Sequence, residues 1–330
     1  MTLLHYRFST APMMEWTDRH WRVFARKFTQ KALLYTEMVT APALIHGNLD
    51  RLTQHSIAEY PLALQVGGAD PGELYRATEY VKDLGFYEIN LNLGCPSDRV
   101  QAGCFGAALM TDPDRVSECF EAMLNAAGSH GPHVTAKIRL GVNDQEIEQT
   151  LPEFLEMLRR KNISRVIIHA RKAILGGLSP KENREIPPLN YALAQKMKNQ
   201  FTDMEIIING GLNTLDQCTQ QLSIFDGVMV GRAAYQTPQI LLGVDHHVFE
   251  SDPPHETAFE ALMAYQPYVE SVLAQGFPLK HLTRHLVGLY HNVPGARRYR
   301  RILSERSHIP GATWKVVEDA LAAIPNVEMI

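Results

Sequence analysis

The 330-residue chain has only four cysteines, Cys95, Cys104, Cys119 and Cys218, and no two stand at CxxC spacing. This argues against a disulfide scaffold and a cysteine-based zinc site, and suits a reducing cytoplasm. No uninterrupted apolar stretch approaches the ~18 residues that a membrane span needs. The opening MTLLHYRFSTAPMM has no basic segment before a hydrophobic one, so no signal peptide is expected. Charge of one sign is not in large excess: 32 Lys and Arg face 36 Asp and Glu. With a pI near 6.4, any polyanionic partner would need a local basic surface. Internal repeats and low-complexity tracts are absent. No GxGxxG follows the first apolar run, which disfavours an open dinucleotide-binding sheet.

What the chain does have is a series of short β-prone runs. They are RFSTAPM from Arg7, LLYTEMV from Leu33, PLALQVG from Pro61, YEINLN from Tyr87, HVTAKIR from His133, RVIIHA from Arg165, EIIING from Glu205 and GVMVGR from Gly227. Between them lie segments of helical periodicity, such as PGELYRATEYVKDLG after Asp70 and DPDRVSECFEAMLNAAG from Asp112. Eight strands alternating with helices predict an α/β protein, a parallel (β/α)8 TIM barrel over residues 1–243. After the punctuation SDPPHE at Ser251–Glu256 the pattern becomes helical, with segments at 257–276, 279–292, 295–306 and 313–324. Residues 244–330 are therefore expected to form a small C-terminal helical bundle domain.

In such a barrel the chemistry gathers where strands end. Polar residues fall there repeatedly: Glu37, Gln65, Asn90, Asn92, Lys137, Arg139, His169, Arg171, Asn209 and Arg232. Lys137 has apolar neighbours, so its burial requires an anion, a reaction or a carboxylate such as Glu37. The last two strands run into INGGLNT and MVGRAAY. Asn209, Gly210, Gly211, Gly231 and Arg232 thus lie where barrels bind phosphate, with backbone N–H groups and a charged side chain to offer. Cys95 lies just past the fourth strand, followed by Pro96; acid, covalent nucleophile and buried structural thiol are all open to it, and the last is adopted for the other three cysteines. Lys280 to Arg306 carries seven Lys and Arg against one Glu, with Arg297, Arg298, Arg300 and Arg301 in one run. Such a run is either a solvated helix face or a grip on a nucleic-acid backbone. The proline-containing stretch GLSPKENREIPPL joins the sixth and seventh strands without helix or strand signal, and long ordered loops of this kind are usually functional.

Taken together, APM at Ala11–Met13, LQVGG at Leu64–Gly68, NLNLGCPSDRV at Asn90–Val100, KIR at Lys137–Arg139, HAR at His169–Arg171, NGG and VGR resemble the tRNA-dihydrouridine synthases in order and spacing. TEMVTAPALIHG and LSPKENREIPPL resemble the bacterial A subfamily. The resemblance covers essentially the whole chain and implies an FMN- and NADPH-dependent enzyme, with NADH a possible reductant, that reduces uridine in the D-loop of tRNA at positions 20 and 20a. It implies that Ala11, Pro12, Met13, Gln65, Lys137, His169, Asn209, Gly210, Gly211, Gly231 and Arg232 hold the flavin. Cys95 would protonate uracil C5 after hydride reaches C6; a free thiol, with a reference pKa near ~8.5, is mostly protonated at neutral pH. Asn92, Arg139 and Arg171 would meet the base or its phosphate, and Lys181, Arg184 and Arg297, Arg298, Arg300 and Arg301 the rest of the tRNA. A monomer is expected. The alternatives are a flavin barrel acting on a free pyrimidine, a Schiff-base aldolase using Lys137, and a noncatalytic RNA binder.

Overall fold

Short β-branched and apolar runs, each followed by a helix, are what build the barrel. A computed structural model describes residues 4–97 and 103–330, so the end of the NLNLGCPSDRV segment lies outside the described residues. Each of the eight runs forms a strand: β1 (Phe8–Thr10), β2 (Leu34–Thr40), β3 (Leu62–Gly67), β4 (Glu88–Leu93), β5 (His133–Arg139), β6 (Arg165–His169), β7 (Glu205–Asn209) and β8 (Gly227–Val230). All pairings are parallel, in the order β1-β8-β7-β6-β5-β4-β3-β2. A parallel bridge between Ser9 and Leu33 closes the circle, with Leu33 N donating to Phe8 O at 2.9 Å and Thr10 N to Leu33 O at 3.0 Å.

Alternate residues on a strand face opposite ways. In β4, Ile89, Leu91 and Leu93 join the apolar layer between strands and helices, while Glu88, Asn90 and Asn92 have the other parity. In β5 the same division separates Val134, Ala136 and Ile138 from Thr135, Lys137 and Arg139. A separate apolar cluster of Tyr6, Leu33, Tyr35, Ala63, Ile167, Ile207 and Met229 fills the barrel. Its floor is ionic: Arg165 bonds Glu88 at 2.9 Å and Glu205 at 2.8 Å, and its guanidinium carbon lies 3.8 Å from the Tyr6 ring centre. Buried charges are tolerated when paired and hydrogen-bonded in this way.

The helices are set by their caps. Asp70 accepts from Glu73 N at 2.8 Å to start Pro71–Val81, and Asp112 from Arg115 N at 3.1 Å to start Pro113–Ala127. Proline follows each cap, where no N–H is needed. On Pro113–Ala127, Val116, Phe120 and Met123 form one fully buried stripe of i, i+4, i+7 spacing, each worth about 1.5–3 kcal/mol of burial.

After Gly243 the chain is helical, and among the described residues no strand follows Val230. The sequence pattern needs two corrections here. The 257–276 segment is divided into Ala258–Met263 and Gln266–Ala274, with Pro267 in the first turn of the second helix. The 279–292 segment is α-helical only over Lys280–Thr283 and otherwise turns. Gly288 presses on the backbone of Gln236, where a Cβ would lie 2.5 Å from the carbonyl oxygen, so packing on the barrel overrides helical periodicity. Ala296–Arg306 and Lys315–Leu321 form within the remaining two segments.

These helices are anchored to the barrel by polar contacts. Asp18 caps Arg19–Ala25 and also receives Arg284 and His285, the latter at 3.0 Å; His285 Nδ1 in turn lies 3.2 Å from the Tyr235 hydroxyl. His20 Nδ1 meets Tyr268 Oη at 2.8 Å, and Asp245 accepts from Thr29 and from Gln30 N, the latter at 2.7 Å. Among the described residues no helix is long and apolar enough to cross a membrane.

Candidate active site

Strand register gathers most of the predicted barrel residues at one mouth. Gln65 pairs with Asn90, Asn92 with Lys137, Arg139 with His169, and His169 with Asn209, so they follow one another around the carboxyl ends of β3 to β7. The β2–β3 register shifts between Tyr35 and Met38; there Thr36 Oγ1 accepts from Gln65 N at 3.2 Å. An irregularity of this kind re-aims a strand residue beside a site.

Cys95 is a free, half-buried thiol at the end of β4. Asn92 Oδ1 accepts from Gly94 N and Cys95 N, both at 3.0 Å. Cys95 O accepts from Ala107 N at 3.0 Å, and Sγ donates to Ser97 Oγ at 3.4 Å. Arg139 Nε donates to Gly94 O at 3.1 Å, so the loop is gripped from β5 as well. The loop that carries the thiol is therefore held by the side chains of Asn92 and Arg139 and by the Ala107 backbone.

Around it is a concentration of cations. Lys137 makes no hydrogen bond or ion pair among the described residues; burial, then the neighbouring Arg139 charge, pulls its pKa down to about 7, against a smaller upward pull from Cys95. Glu37, the carboxylate that sequence offered as its partner, accepts from Glu15 N instead. Burial likewise brings Arg139 down to about 10. His169 falls well below its ordinary value because it is desolvated and faces Arg139, Lys137, Arg171 and Arg184, and it is neutral as a result.

Several predicted ligand contacts are engaged within the protein. Arg139 Nη1 donates to Asn183 O at 3.0 Å, and Arg171 Nη1 to Glu185 O at 3.2 Å and to Pro187 O. Arg232 pairs with Glu185 at 2.6 Å. The three arginines thereby hold the long loop between β6 and the helix Tyr191–Gln200, whose one regular turn is Glu182–Arg184. Buried Asn183 organises that loop, accepting from Ile174 N at 2.8 Å and donating to Ile174 O at 2.9 Å. Lys181 and Arg184 stand exposed on it.

The glycine motifs differ from each other. Gly210 and Gly211 have φ of +110° and +74°, and a Cβ would lie 2.7 Å from His169 Cδ2 and 2.6 Å from Leu189 Cδ1 respectively. Gly231 has ordinary φ, and a Cβ there would meet only Ala11 Cβ at 3.6 Å. The helix after it, Arg232–Gln236, is five residues long, which weakens the dipole expected at a phosphate. Asn209 Nδ2 donates to Met229 O at 2.7 Å, tying β7 to β8. Ala11 N donates to Val230 O at 2.8 Å, and Pro12 and Met13 follow at the rim, Met13 N bonding Thr17 Oγ1 at 3.0 Å. On Ala296–Arg306, Tyr299 and Leu303 face inward while Arg297, Arg298 and Arg301 are exposed and Arg300 partly so.

Sequence reading missed Glu185, Asn183, Thr135 and Glu88. The last two share the parity of Asn90 and Lys137, a period-two signal that was present.

The dihydrouridine synthase (Dus) family profile matches residues 9–324. Proteins named tRNA-dihydrouridine(20/20a) synthase are similar along nearly the whole length. That of Vibrio parahaemolyticus is 48% identical over 97% of both chains, and that of Xanthomonas axonopodis pv. citri is 50% identical over 96% of this chain and 93% of its own. That of Pseudomonas aeruginosa is 46% identical over 96% and 95%. Among solved structures, an old yellow enzyme homologue from Zymomonas mobilis overlays with a TM-score of 0.52 at 11% identity, covering 73% of this chain and 89% of that one. Morphinone reductase in complex with tetrahydroNAD gives 0.51 at 11% identity, covering 75% and 87%. At that identity the overlay speaks for the barrel alone. The profile and the near-full-length relatives make the chain a member of the dihydrouridine synthase family.

Proposed function

We propose that the chain reduces uridine to 5,6-dihydrouridine in tRNA, at D-loop positions 20 and 20a, with FMN re-reduced by NADPH, as a cytoplasmic monomer. The observation that carries this reading is the seat of Cys95, a free thiol held at the barrel mouth by Asn92 and Arg139. The shared name of relatives 46 to 50% identical supports the substrate.

The mouth fits an anionic cofactor. Among the described residues Lys137 makes no hydrogen bond or ion pair and the buried Nε of Arg171 has no acceptor, and the positive-φ Gly210 lets the backbone pass close to His169. A flavin bound there supplies hydride for uracil C6. The other steps fall to the chain's own residues. Cys95 gives its S–H proton to C5 and regains one from solvent. Asn92 and Gln65 offer amide N–H groups to ring carbonyls. Lys137 gains positive charge as an anion comes beside it, and neutral His169 adds a polar contact without further charge. Arg139 acts through Gly94, aiming the Cys95 loop.

The target uridine must leave its stack to reach the thiol. In this reading residues 1–243 are the catalytic unit, and 244–330, with Lys181 and Arg184, hold the tRNA backbone through Arg297, Arg298, Arg300 and Arg301. The test is incubation with FMN, NADPH and unmodified tRNA, followed by mass spectrometry of nuclease fragments. Dihydrouridine at positions 20 and 20a is expected. Folded, flavin-loaded protein that leaves tRNA unchanged but reduces free uracil would replace this reading with a free-pyrimidine reductase.

A further inference from the structure

A file of hydrogen bonds runs inside the barrel from its ionic floor to the Cys95 loop. At the bottom, Glu88 Oε1 accepts from the Tyr35 hydroxyl and from Thr135 Oγ1 at 2.7 Å, and Oε2 accepts from Arg165 Nη1 at 2.9 Å. Above it, Asn90 Nδ2 donates to Thr135 Oγ1 at 2.8 Å, Gln65 Nε2 to Asn90 Oδ1 at 2.9 Å, and Asn92 Nδ2 to Gln65 Oε1 at 2.8 Å. Asn92 Oδ1 completes the file on Gly94 N and Cys95 N. Glu88, Asn90, Gln65 and Thr135 are all 1% exposed or less.

The direction of this file follows from its lowest member. A carboxylate paired with arginine only accepts. Thr135 must therefore give Glu88 its single proton, and from Asn90 it can only accept. Asn90 then turns its NH2 to Thr135 and its oxygen to Gln65, Gln65 turns its NH2 to Asn90 and its oxygen to Asn92, and Asn92 turns its NH2 to Gln65 and its oxygen to the loop. Reversing any one amide sets oxygen against oxygen or NH2 against a donor, leaving buried groups unsatisfied at about 1–3 kcal/mol each.

We infer that Glu88 is a positioning residue that acts through Thr135 and Asn90 to fix the orientation of Gln65 and Asn92, leaving the second N–H of each available to a ligand. The functional half of this inference rests on the reaction proposed above. A free N–H of Asn92 directed at position 4 of the base pairs with the carbonyl oxygen of uracil and opposes the amine of cytosine, so the floor of the barrel contributes to selecting uracil over cytosine.

The test begins with flavin-free protein carrying 15N in its Asn and Gln side chains, with Gln65 and Asn92 assigned by single substitutions. Glu88→Gln keeps the shape but can donate as well as accept, which releases Thr135 from its fixed role. The NH2 resonances of Gln65 and Asn92 should shift or double, and their hydrogen exchange should quicken by about tenfold or more. Tyr35→Phe removes another donor from the same carboxylate without altering the donor order, and should leave those resonances in place. Thr135→Val cuts the file above Glu88 and should reproduce the Glu88→Gln changes, which also covers the case of a Glu88→Gln chain that does not fold. Unmoved resonances in either folded variant, or equal movement in Tyr35→Phe, would overturn the positioning role. In flavin-loaded protein, kcat on tRNA should fall about tenfold with KM little changed. Moved resonances with parental kcat would overturn the functional half. The spectra need neither flavin nor tRNA, so they stand apart from the proposed reaction.

Discussion

Lys137→Met should make the flavin-free fold more stable at neutral pH while impairing the site. In the native fold Lys137 loses its proton above about 7, mainly because burial desolvates it, whereas in an unfolded chain it keeps the proton to about 10.4. Between those values the unfolded chain binds more protons, so the parent gains stability as pH rises. Below about pH 7 both states are protonated and the full penalty is present. The separation of a little over three units corresponds to at most ~4–5 kcal/mol, and residual solvent contact of the half-buried side chain brings the expected gain to about 2–3 kcal/mol. Urea denaturation of both proteins from pH 6 to 9.5 measures it. The advantage of Lys137→Met should be greatest at the acid end and shrink by up to ~1.4 kcal/mol per unit above about pH 7.5. FMN affinity, read from flavin fluorescence, should fall by about tenfold or more. A variant less stable than its parent at every pH would refute the reasoning, because it would mean that the ammonium has a partner in the native fold.

Cys95→Ala should retain the fold and FMN binding and lose most dihydrouridine formation; parental multiple turnover by mass spectrometry would remove Cys95 as proton donor. Replacing Arg297, Arg298 and Arg301 by Ala should weaken tRNA binding and flatten the slope of log K against log salt by about 2. Filter binding at several salt concentrations measures this, and an unchanged slope would leave the run as a solvated helix face. Gly210→Ala puts a methyl group 2.7 Å from His169 Cδ2 at a φ of +110°. It should cost about 1–3 kcal/mol in thermal unfolding and weaken FMN binding, and a neutral outcome in both would dismiss the tight Gly210–His169 approach.

The strands were legible because each is a short β-branched or apolar run, and β4 and β5 add a period-two alternation to it. Ile89, Leu91 and Leu93 are set against Glu88, Asn90 and Asn92 in a pattern that no neighbouring element can erase. The 279–292 segment was misread for the opposite reason: its path depends on Gly288 meeting Gln236 across the fold, a contact without local signature. At the site, motif positions gave the residues but not their partners. That Glu185 holds Arg232, 47 positions away, follows from how the loop after β6 crosses the mouth. Thr135 and Glu88 were visible as polar residues of the right parity, yet their importance appears only once register sets β4 beside β5 and β3 beside β4.

The ionic floor also bears on how the chain is made. Glu88 comes from β4, Arg165 from β6 and Glu205 from β7, and β1 finds its partner only when β8 exists. A ribosome that has synthesised the first half of the barrel has put out a carboxylate meant for burial whose counterion is still untranslated. Burying Glu88 before Arg165 is available is costly, so the charge that orders the finished interior also opposes closing the barrel from its first half alone.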